Sequence, residues 1–349
     1  MKTINAHAGP KPLYQILIEQ YKQAILTQIY PPGGQIDSIN EMIRRHGVSR
    51  ETAKKVLQSL REQGLIVQKP GKGSFIADLG PLQNVWGVIV PFFSSQIEQL
   101  LHHLRQQIAP LGRRLEAFLD YNSWQEEIRL VGQLIKERYE AVIVVPTFDE
   151  SKTAQFYRRL QTGKTIVSLL NHTMTGSSFP YVIQSYDLGV HRAAQYLLQC
   201  CRGPIGYIKN QTWPGQNMVQ QVMQETFCAH LHQADAARVC TVIDNLDVLD
   251  RDAFLELRLS GLFCCDDIDA VRILGRLKEW NSYSSEEFAL VSYGNTDLAR
   301  FFTPAITSID PHYAEMASLT AEIIQASRQG SDISLYQYVL QPDLVVRET

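Results

Sequence analysis

The sequence predicts an α/β protein with two parts: a small N-terminal winged helix-turn-helix, and a larger two-lobed domain with parallel sheets. Before residue 80, two helical patterns joined by a Gly-Val-Ser turn are followed by a hairpin pattern with a glycine-rich tip. Beyond it, apolar β-prone runs alternate with helical patterns, as in parallel sheets covered by helices. The chain of 349 residues is long enough for two or three packed domains.

Charge is distributed unevenly along the chain. Residues 1–80 hold eleven Lys or Arg against six Asp or Glu, whereas the remainder carries an excess of acidic residues. A basic N-terminal segment joined to an acidic remainder predicts that only the N-terminal segment binds a polyanion. No apolar run of about 18 residues could span a bilayer, and the N-terminus lacks the apolar core of a secretory signal. We therefore expect a cytoplasmic protein with no membrane partner.

The cysteines agree with a reducing compartment. Two pairs are adjacent and two cysteines stand alone: Cys200 and Cys201, Cys264 and Cys265, Cys228, and Cys240. None has the C-x-x-C spacing of a zinc or redox site. We expect buried, reduced thiols, and we expect neither a metal nor a cofactor.

The first eighty residues carry three amphipathic helical patterns. The first, "PLYQILIEQYKQAILTQIY", has apolar residues at helical spacing and ends before "PPGG". In the second, "SINEMIRRHG", Ser38 can cap the helix, Glu41 can return the bond to the Ser38 amide, and Gly47 can end it. Ser49 can cap the third, "VSRETAKKVLQSLREQG". The second and third helices together predict a helix-turn-helix.

The third helix has a polar face opposite its apolar stripe. Four residues recur along that face at spacings of three or four: Arg50, Lys54, Gln58 and Arg61. Thr52 lies beside them near the helix N-terminus. In a helix-turn-helix, the N-terminal residues of the second helix reach base edges in the major groove. A solvated charged face is the alternative interpretation of the same pattern.

The stretch "PGKGSF" lies between two short β-prone runs, "LIVQK" and "SFIAD", and has the pattern of a hairpin tip. A dinucleotide-binding loop would need a third glycine and a following helix, and a P-loop would need a Ser or Thr after Gly-Lys. Neither condition is met. We interpret the stretch as a wing, in which Gly71 and Gly73 let the backbone approach DNA and Lys72 offers a cation.

Residues 11–78 resemble the winged helix-turn-helix of GntR-type transcriptional regulators. The resemblance is carried, in order, by "PLYQILIEQYKQAI", "PPGGQI", "GVSRETAKKVLQSLREQGLI" and "GKGSFIA". It implies DNA contacts at eight positions: Ser38, Asn40, Ser49, Arg50, Thr52, Lys54, Gly71 and Lys72. At Asn40 the family often has an arginine, so a contact there would be shorter and uncharged, and the operator preference can differ.

The polar, turn-rich stretch "DLGPLQN" is the best domain boundary. We expect a DNA-binding domain over residues 1–78, a linker over 79–84, and a two-lobed effector-binding and dimerisation domain over 85–349. Eight β-prone runs follow the boundary, beginning at Val85, Leu115, Ala141, Thr165, Ile205, Val239, Gly261 and Phe288. About 265 residues are too many for one such sheet and suit two lobes.

The residues that follow these runs are candidate ligand contacts, because ligands bind beyond the carboxyl ends of the strands in such sheets. They combine aromatic rings, which can cover the C–H faces of a sugar, with amides, hydroxyls and carboxylates, which can bond its hydroxyls. Loop aromatics can instead cover the core, and Asp266 and Asp267 can act as caps rather than ligands. The candidates are Phe92, Phe93, Ser94, Tyr121, Asn171, Trp213, Asp266, Asp267 and Asn295.

Residues 84–349 resemble the effector domain of LacI/GalR-type regulators, which is similar to type I periplasmic sugar-binding proteins. The segment "FALVSYGNTDLARFFTPAITSID" carries the most specific likeness, and the pairing with a GntR-type front resembles the arabinose-repressor subgroup. Ser185, a further candidate contact, occupies a position where the family usually has Asp. Met223 stands where the sugar-clamping Arg is expected, and Gly294 replaces another Asp. These departures put a standard hexose pose in doubt.

The resulting hypothesis is a sequence-specific transcriptional regulator of carbohydrate-metabolism genes, expected to be a repressor and not an enzyme. Its partners would be a palindromic double-stranded operator, a second copy of the chain, and a sugar or sugar-like effector between the lobes. One alternative is a regulator whose body only dimerises. Another is an enzyme fused to a DNA-binding module, although the sequence offers no nucleophile motif and no metal-ligand spacing.

Overall fold

The computed structural model describes residues 13–349 except 27–28, 32, 64, 78–82, 148–149, 175–177, 210–217, 235–239 and 283–287. The chain divides into two compact units, one built on the segment up to Gln83 and the other on most of the chain from Asn84. The predicted linker, residues 79–84, falls mostly outside the described residues, so the exact domain boundaries remain a prediction.

The first unit contains three helices and one hairpin. Its elements are α1 (Leu13–Leu26), α2 (Ile39–His46), α3 (Arg50–Glu62), β1 (Ile66–Lys69) and β2 (Gly73–Ile76). The two strands pair antiparallel, with Lys69 opposite Gly73. Helices α1, α2 and α3 and the hairpin share one core, in which Met42, Val56 and Leu60 are completely buried.

The predicted caps define the helix-turn-helix. Ser38 and Glu41 form a reciprocal capping box at the start of α2. Gly47 ends that helix at φ 65°, a left-handed conformation that glycine adopts without steric cost. Ser49 then caps α3 by accepting from the Thr52 amide. These contacts confirm the predicted turn between the two helices.

The first sheet of the body has the strand order β13-β7-β6-β5-β3-β4. Among its described pairings, β13 with β7, β7 with β6, β6 with β5, and β3 with β4 are parallel. Helices α4 and α12 cover a core that includes Trp86, Leu104 and Met316. The elements up to the first crossing are β3 (Gln83–Val90), α4 (Ser95–Ile108), a 3-10 turn (Ala109–Leu111), β4 (Arg114–Leu119), α5 (Trp124–Lys136), β5 (Tyr139–Val144), α6 (Glu150–Arg159), β6 (Ile166–Asn171) and β7 (Tyr181–Gln184).

The second sheet has the order β14-β12-β11-β10-β8-β9 and is parallel except where β14 pairs with β12. Its elements are α7 (Tyr186–Cys200), β8 (Ile205–Ile208), α8 (Met218–Ala234), β9 (Cys240–Ile243), α9 (Arg251–Glu256), β10 (Gly261–Cys264), α10 (Asp267–Glu279), β11 (Ala289–Tyr293), α11 (Asp297–Phe301) and β12 (Thr307–Asp310). The chain then returns through α12 (Tyr313–Arg328) and β13 (Gln337–Leu340) to the first sheet, and ends with β14 (Asp343–Val345) in the second.

The two sheets make two lobes, which confirms the predicted architecture of the body. The chain passes between them after β7, after β12 and after β13, so the lobes are joined by three strands of polypeptide. Each sheet has its own buried cluster: one spans the first lobe, and two cover the faces of the second. The space between the carboxyl ends of the two sheets is therefore where a ligand of the body would bind.

The cysteines depart from expectation in one respect. Cys264 and Cys265 are buried free thiols, as is Cys201, and Cys200 is an exposed free thiol. Cys228 and Cys240, however, form a disulfide between α8 and β9. The prediction of reduced thiols is wrong for this pair, because only the packing of the helix beside the strand brings the two residues together.

Candidate nucleic-acid interface and ligand site

The predicted recognition face of α3 is exposed along its length. Arg50, Lys54, Gln58 and Arg61 all lie on the surface, while Ala53, Val56 and Leu60 on the opposite side are buried. Lys54 pairs with Glu51 at 3.0 Å, and the Arg61 guanidinium donates to Gln68 Oε1 at 3.3 Å. No polar contact within the described part of the chain restrains Arg50, so its guanidinium is free to reach a base edge.

The start of α3 is ordered by two hydroxyls. Ser49 Oγ accepts from the Thr52 amide at 3.2 Å and lies 3.0 Å from Thr52 Oγ1. These bonds fix the first turn of the helix, from which Arg50 projects. Ser38 has the same role at the start of α2, where its hydroxyl accepts from the Glu41 amide at 3.3 Å. Asn40, in the first turn of α2, is exposed.

The wing is a tight hairpin with two left-handed glycines. Gly71 has φ 72° and Gly73 has φ 105°, conformations that a side chain would strain. A Cβ at Gly73 would lie 2.9 Å from Gln35 Nε2, which also donates to the Lys72 carbonyl at 3.3 Å. Gln35 thus supports the wing from below, and Lys72 is exposed at its tip. Sequence reasoning did not identify this supporting residue.

A polar network that sequence reasoning missed fixes α2 against α1. The Tyr21 hydroxyl donates to Asp37 Oδ2 at 2.6 Å, and Arg45 donates to the same oxygen at 2.6 Å and to the Tyr30 hydroxyl at 2.9 Å. His46 Nε2 lies 3.0 Å from the Tyr21 hydroxyl. Burial and the adjacent Asp37 raise the pKa of Tyr21. The network holds the helix-turn-helix at a fixed angle to α1.

In the body, two aromatic rings are exposed where adjacent strands of the first sheet end. Phe93 follows β3 and is 51% exposed, and Tyr121 follows β4 and is 70% exposed. Phe92 beside them is half-buried. Ser94 is used locally, because its hydroxyl caps α4 by accepting from the Ile97 amide at 3.2 Å. The exposed rings are the parts of this group that can cover the face of a ligand.

A cavity of about 600 Å³ lies at the carboxyl ends of β6 and β7. Two predicted contacts, Asn171 and Ser185, line it together with residues of β13 and α8. Thr173 Oγ1, also in the lining, is buried and makes no hydrogen bond within the described residues. The volume is within the range of about 300–1,000 Å³ that small-molecule sites occupy. Trp213, the remaining aromatic candidate, lies outside the described residues.

Tyrosine and amide side chains connect the lobes beside this cavity. The Tyr293 hydroxyl donates to Gln184 Oε1 at 2.6 Å, and Gln184 Nε2 donates to Asn171 Oδ1 at 2.7 Å. The Tyr186 and Tyr293 rings stack with centroids 6.0 Å apart. Burial raises the pKa of both tyrosines, so both remain neutral hydrogen-bond donors. Gln184, which sequence reasoning did not select, is thus one of the side chains that link the two sheets.

The acidic candidates of the second lobe act inside the protein. Asp266 caps α10 by accepting from the Ile268 amide at 3.0 Å, and burial raises its pKa to about 7. Both oxygens of Asp267 are occupied: Ser292 and Ser308 donate to one oxygen, and the amide and hydroxyl of Thr296 donate to the other. Asp266 therefore acts as a helix cap, and Asp267 acts as a hydrogen-bond acceptor inside the lobe.

Asn295 is also held on both sides. Its Nδ2 donates to Asp310 Oδ2 at 2.8 Å, while its Oδ1 accepts from Arg347. Only 3% of the residue is exposed. The amide joins the ends of β11 and β12 to the segment after β14, and a ligand could bind it only by displacing one of these partners.

The positions of the family departures are filled by this chain's own contacts. Met223 is 1% exposed and packs with Phe227 in the core of the second lobe, away from solvent. Gly294 has φ 129°, and a Cβ there would lie 3.1 Å from Gln96 Cγ. Gln96, at the start of α4 in the first lobe, donates through Nε2 to the Tyr293 carbonyl at 3.0 Å. The absence of a side chain at Gly294 thus makes room for a contact between the lobes.

Two further carboxyl groups are buried in the first lobe. Glu127 accepts from the Thr147 amide at 2.5 Å and from the Tyr157 hydroxyl at 2.7 Å. Asp120 Oδ1 accepts from the Asn122 amide at 2.8 Å, and its Oδ2 is buried with no hydrogen bond from the described residues. Burial raises the pKa of Asp120 to about 7. At neutral pH this carboxyl can therefore donate as well as accept.

Comparison with known proteins finds family profiles that match segments in both parts of the chain. The profile of the gntR family of bacterial regulatory proteins matches residues 13–76, and that of a periplasmic binding protein-like domain matches residues 191–349. The chain is a gntR-type DNA-binding domain joined to a periplasmic-binding-protein-like domain. The resemblances predicted from the sequence are thereby confirmed.

One relative aligns with nearly the whole chain, and two solved structures align with about three quarters of it. An arabinose metabolism transcriptional repressor from Halalkalibacterium halodurans is 24% identical, with 96% of each chain covered. Among solved structures, a periplasmic binding protein/LacI transcriptional regulator from Alkaliphilus metalliredigens, complexed with D-xylulofuranose, has a TM-score of 0.63 at 16% identity, covering 76% of this chain and 99% of that one. The Escherichia coli transcriptional repressor ascG has a TM-score of 0.62 at 16% identity, covering 76% and 97%.

Two further features, a metal-binding cluster and a membrane-spanning helix, do not occur in the described ranges. Within them, no group of three or more His, Cys, Asp or Glu side chains could hold a metal ion. No helix in the same ranges is long and apolar enough to cross a membrane.

Proposed function

We propose that this protein is a sequence-specific DNA-binding transcriptional regulator, a repressor of carbohydrate-metabolism genes, and not an enzyme. The observation that carries the proposal is the exposed Arg50 at the capped start of α3, with the Lys72 wing in the same unit. Arg50 would read a base edge in the major groove, and Lys72 would contact a phosphate or the minor groove. Ser38, Asn40, Ser49, Thr52, Lys54 and Gly71 would complete the interface. The protein would act in the cytoplasm, on chromosomal DNA.

The effector would be a small, sugar-like polyol bound between the lobes. The cavity beside Asn171 and Ser185 supports this, because its volume suits a small molecule and Thr173 Oγ1 lacks a partner among the described residues. The exposed rings of Phe93 and Tyr121 could cover an apolar ligand face. Relatives that are named arabinose metabolism repressors make a sugar the first class to test.

We propose a homodimer that reads a palindromic operator, one half-site per DNA-binding unit. The short helix α11 favours a contact through the second lobe. Phe301 is 80% exposed and Leu298 on the same helix is 39% exposed, so together they offer apolar surface that a second copy could cover. Phe301→Asp would therefore shift the protein towards monomer in sedimentation velocity. If the variant remains a dimer, the interface does not include this surface.

A second candidate is a regulator whose body only dimerises. The observations in its favour are the burial of Met223 and the internal hydrogen bonds of Asp267 and Asn295, which remove three groups from ligand binding. A ligand that binds the folded state must raise its melting temperature. A panel of pentoses, hexoses and polyols that leaves the midpoint unchanged would favour this second candidate.

The DNA-binding proposal is tested by selecting genomic fragments with the full-length protein at about 0.15 M salt, where phosphate-only binding is partly suppressed. Enrichment of a palindromic sequence supports a regulator. If no sequence is enriched, with or without a sugar mixture, the proposed operator recognition is rejected.

Two substitutions then separate base reading from phosphate binding. Arg50→Ala should lose about 1–3 kcal/mol of discrimination between the selected site and random DNA. Lys72→Ala should weaken binding to both and flatten the salt dependence. Lys152→Ala, which removes an exposed cation from the body, is the matched control and should change neither. Unchanged DNA binding in both test variants would show that the face is assigned wrongly.

A further inference from the structure

One pair of cysteines links two elements of the second lobe. Cys228 on α8 and Cys240 at the start of β9 form a disulfide with Cα atoms 5.3 Å apart. That separation is inside the range of about 4.4–6.8 Å that disulfides require. Both residues are partly exposed, so a small oxidant or reductant can reach them from solvent. The geometry allows the bond to form and break without a large movement of the backbone.

The three buried cysteines are unsuited to this chemistry. Burial raises the pKa of the Cys264 thiol, and it raises the pKa of Cys265 to about 12, so the reactive thiolate is scarce at both. Cys201 is buried and its thiol donates to the Ser260 carbonyl at 3.2 Å. Cys200 is exposed and free, which makes it the natural control for a reactive but unpaired thiol.

The bond restrains a helix that borders the ligand cavity. Helix α8 packs into the core of the second lobe through Met223, Phe227 and Leu231, all of them buried. On the same helix, Val222 lines the cavity that contains Asn171. Cys228 is six residues further along, about 9 Å at the helical rise of 1.5 Å per residue. A crosslink at Cys228 therefore limits the motion of the helix that carries Val222.

We propose that Cys228 and Cys240 are an oxidation site, and that their disulfide, formed by a hydroperoxide, restrains α8. A thiolate attacks the peroxide oxygen to give a sulfenic acid and releases the alcohol, or water when the oxidant is hydrogen peroxide. The second thiol then displaces water from that sulfur, closing the S–S bond. The two sulfurs lose two electrons in total and the O–O bond gains them. A dithiol reverses the step by thiol–disulfide exchange.

Oxidation of the pair would consequently change the mobility of the cavity wall that α8 contributes, while the residues that line the cavity stay the same. The structure holds the oxidised form of the pair. Disulfides are rare where thiol reductants are abundant, so a cytoplasm would keep the pair reduced until a hydroperoxide oxidises it. The crosslink closes a short loop, because the two cysteines are separated by 12 positions in the sequence. The oxidation and the restraint of α8 do not depend on which ligand the cavity binds, or on DNA binding.

The test uses the full-length protein, first reduced with dithiothreitol and desalted, then exposed to graded hydrogen peroxide. Free thiols are blocked with iodoacetamide, and peptides are mapped by mass spectrometry without reduction. We expect a Cys228–Cys240 linked peptide that disappears when dithiothreitol is added again. Hydrogen exchange over residues 218–234 should slow by about tenfold or more on oxidation, because the crosslink opposes local opening of α8.

Variants make the result specific to this pair. Cys228→Ser and Cys240→Ser should each abolish both the linked peptide and the change in exchange, whereas Cys200→Ser should retain both. Three results would overturn the proposal. Iodoacetamide could still alkylate all six cysteines after peroxide, which would show that none was oxidised. Cys200 or Cys201 could provide the crosslink, or Cys228 could be converted to a sulfinic acid instead. A linked peptide with unchanged exchange over residues 218–234 would refute the restraint of α8.

Discussion

Replacing Gly294 by aspartate, the residue that LacI/GalR-type regulators usually have at this position, is expected to destabilise the body and not to create a ligand contact. Gly294 adopts φ 129°, and a residue with a Cβ held in such a conformation costs about 1–3 kcal/mol. Space is short as well, since the new Cβ would lie 3.1 Å from Gln96 Cγ and 3.2 Å from Asp267 Oδ2. Backbone strain and crowding therefore act in the same direction.

The carboxylate that Gly294→Asp introduces would add an electrostatic cost. Asp267, beside it, is completely buried, and its two oxygens are already occupied by donors. Among the described residues no lysine or arginine forms an ion pair with Asp267, so the second carboxylate would lie beside a buried acid that has no paired cation. We expect Gly294→Ala to cost about 1–3 kcal/mol from conformation alone, and Gly294→Asp to cost at least about 3 kcal/mol at neutral pH.

Urea unfolding of the full-length protein, followed by circular dichroism, measures both costs. Gly275→Ala is the matched control: this glycine lies in α10 with nothing within 4 Å of its added Cβ, so alanine should stabilise by about 0.5–1 kcal/mol. In Gln96→Ala/Gly294→Ala, the contact with Gln96 is removed but the strained φ remains, so only part of the loss should be recovered. If Gly294→Ala unfolds at the wild-type urea concentration, the reasoning about Gly294 is refuted.

Three other substitutions test the interior of the body. Gly189→Ala puts a Cβ 2.9 Å from the Tyr293 ring, so overpacking should cost about 1–3 kcal/mol, and an unchanged melting temperature would contradict it. Burial raises the pKa of Asp120 to about 7, so its stabilising effect is complete at low pH and is lost as pH rises through 7. The free energy of unfolding of Asp120→Asn, relative to that of wild type, should therefore rise by roughly 2–4 kcal/mol from pH 4 to pH 8 in urea titrations. If the two proteins lose stability in parallel over this range, the raised pKa of Asp120 is excluded. Glu140→Ala should cost about 3–5 kcal/mol in the same assay, because the buried carboxylate accepts from Trp86 and Arg113, and a loss below about 1 kcal/mol would refute its structural role.

The DNA-binding unit was predictable almost to the residue because its signals are local. The Ser38–Glu41 capping box, the Gly47 stop and the Ser49 cap each depend on neighbours within four positions, and all are present. The support that Gln35 gives to the wing was not predictable, since it crosses from before α2 to the hairpin. The same holds for the link from Tyr21 to Asp37, which are 16 positions apart.

In the body, eight of the described strands were found from the sequence and four were missed. The eight runs recognised in the sequence became β3, β4, β5, β6, β8, β9, β10 and β11. The strands that were not recognised, β7, β12, β13 and β14, adjoin the crossings between the lobes. Length does not distinguish them, because β8, β9 and β10 also have four residues each and were recognised. Each missed strand has an amide or acidic residue at one end, and its pairing with a distant segment determines its conformation.

The ligand residues were only partly predictable, for a physical reason. The rule that ligands bind at the carboxyl ends of strands selects Asn171, and the family resemblance adds Ser185; both line the cavity. The strand-end rule also selects Asp267 and Asn295, because it cannot see which polar groups already have internal partners. The contact from Gln96 to the Tyr293 carbonyl joins residues almost two hundred positions apart, and only the folded chain brings them together.

The departures at Ser185, Met223 and Gly294 form a coherent set. Ser185 caps α7 by accepting from the Leu188 amide, Met223 fills the core beside Phe227, and Gly294 leaves space for Gln96. Each lost polar group is replaced by a contact that stabilises the apoprotein, so restoring one family residue removes a contact without rebuilding a site. A ligand would then take its hydrogen bonds mainly from the first-lobe side of the cavity, where Asn171 and Thr173 lie. Thr173→Val should therefore weaken the binding of any ligand found, whereas substituting Asn295 should chiefly lower the free energy of unfolding.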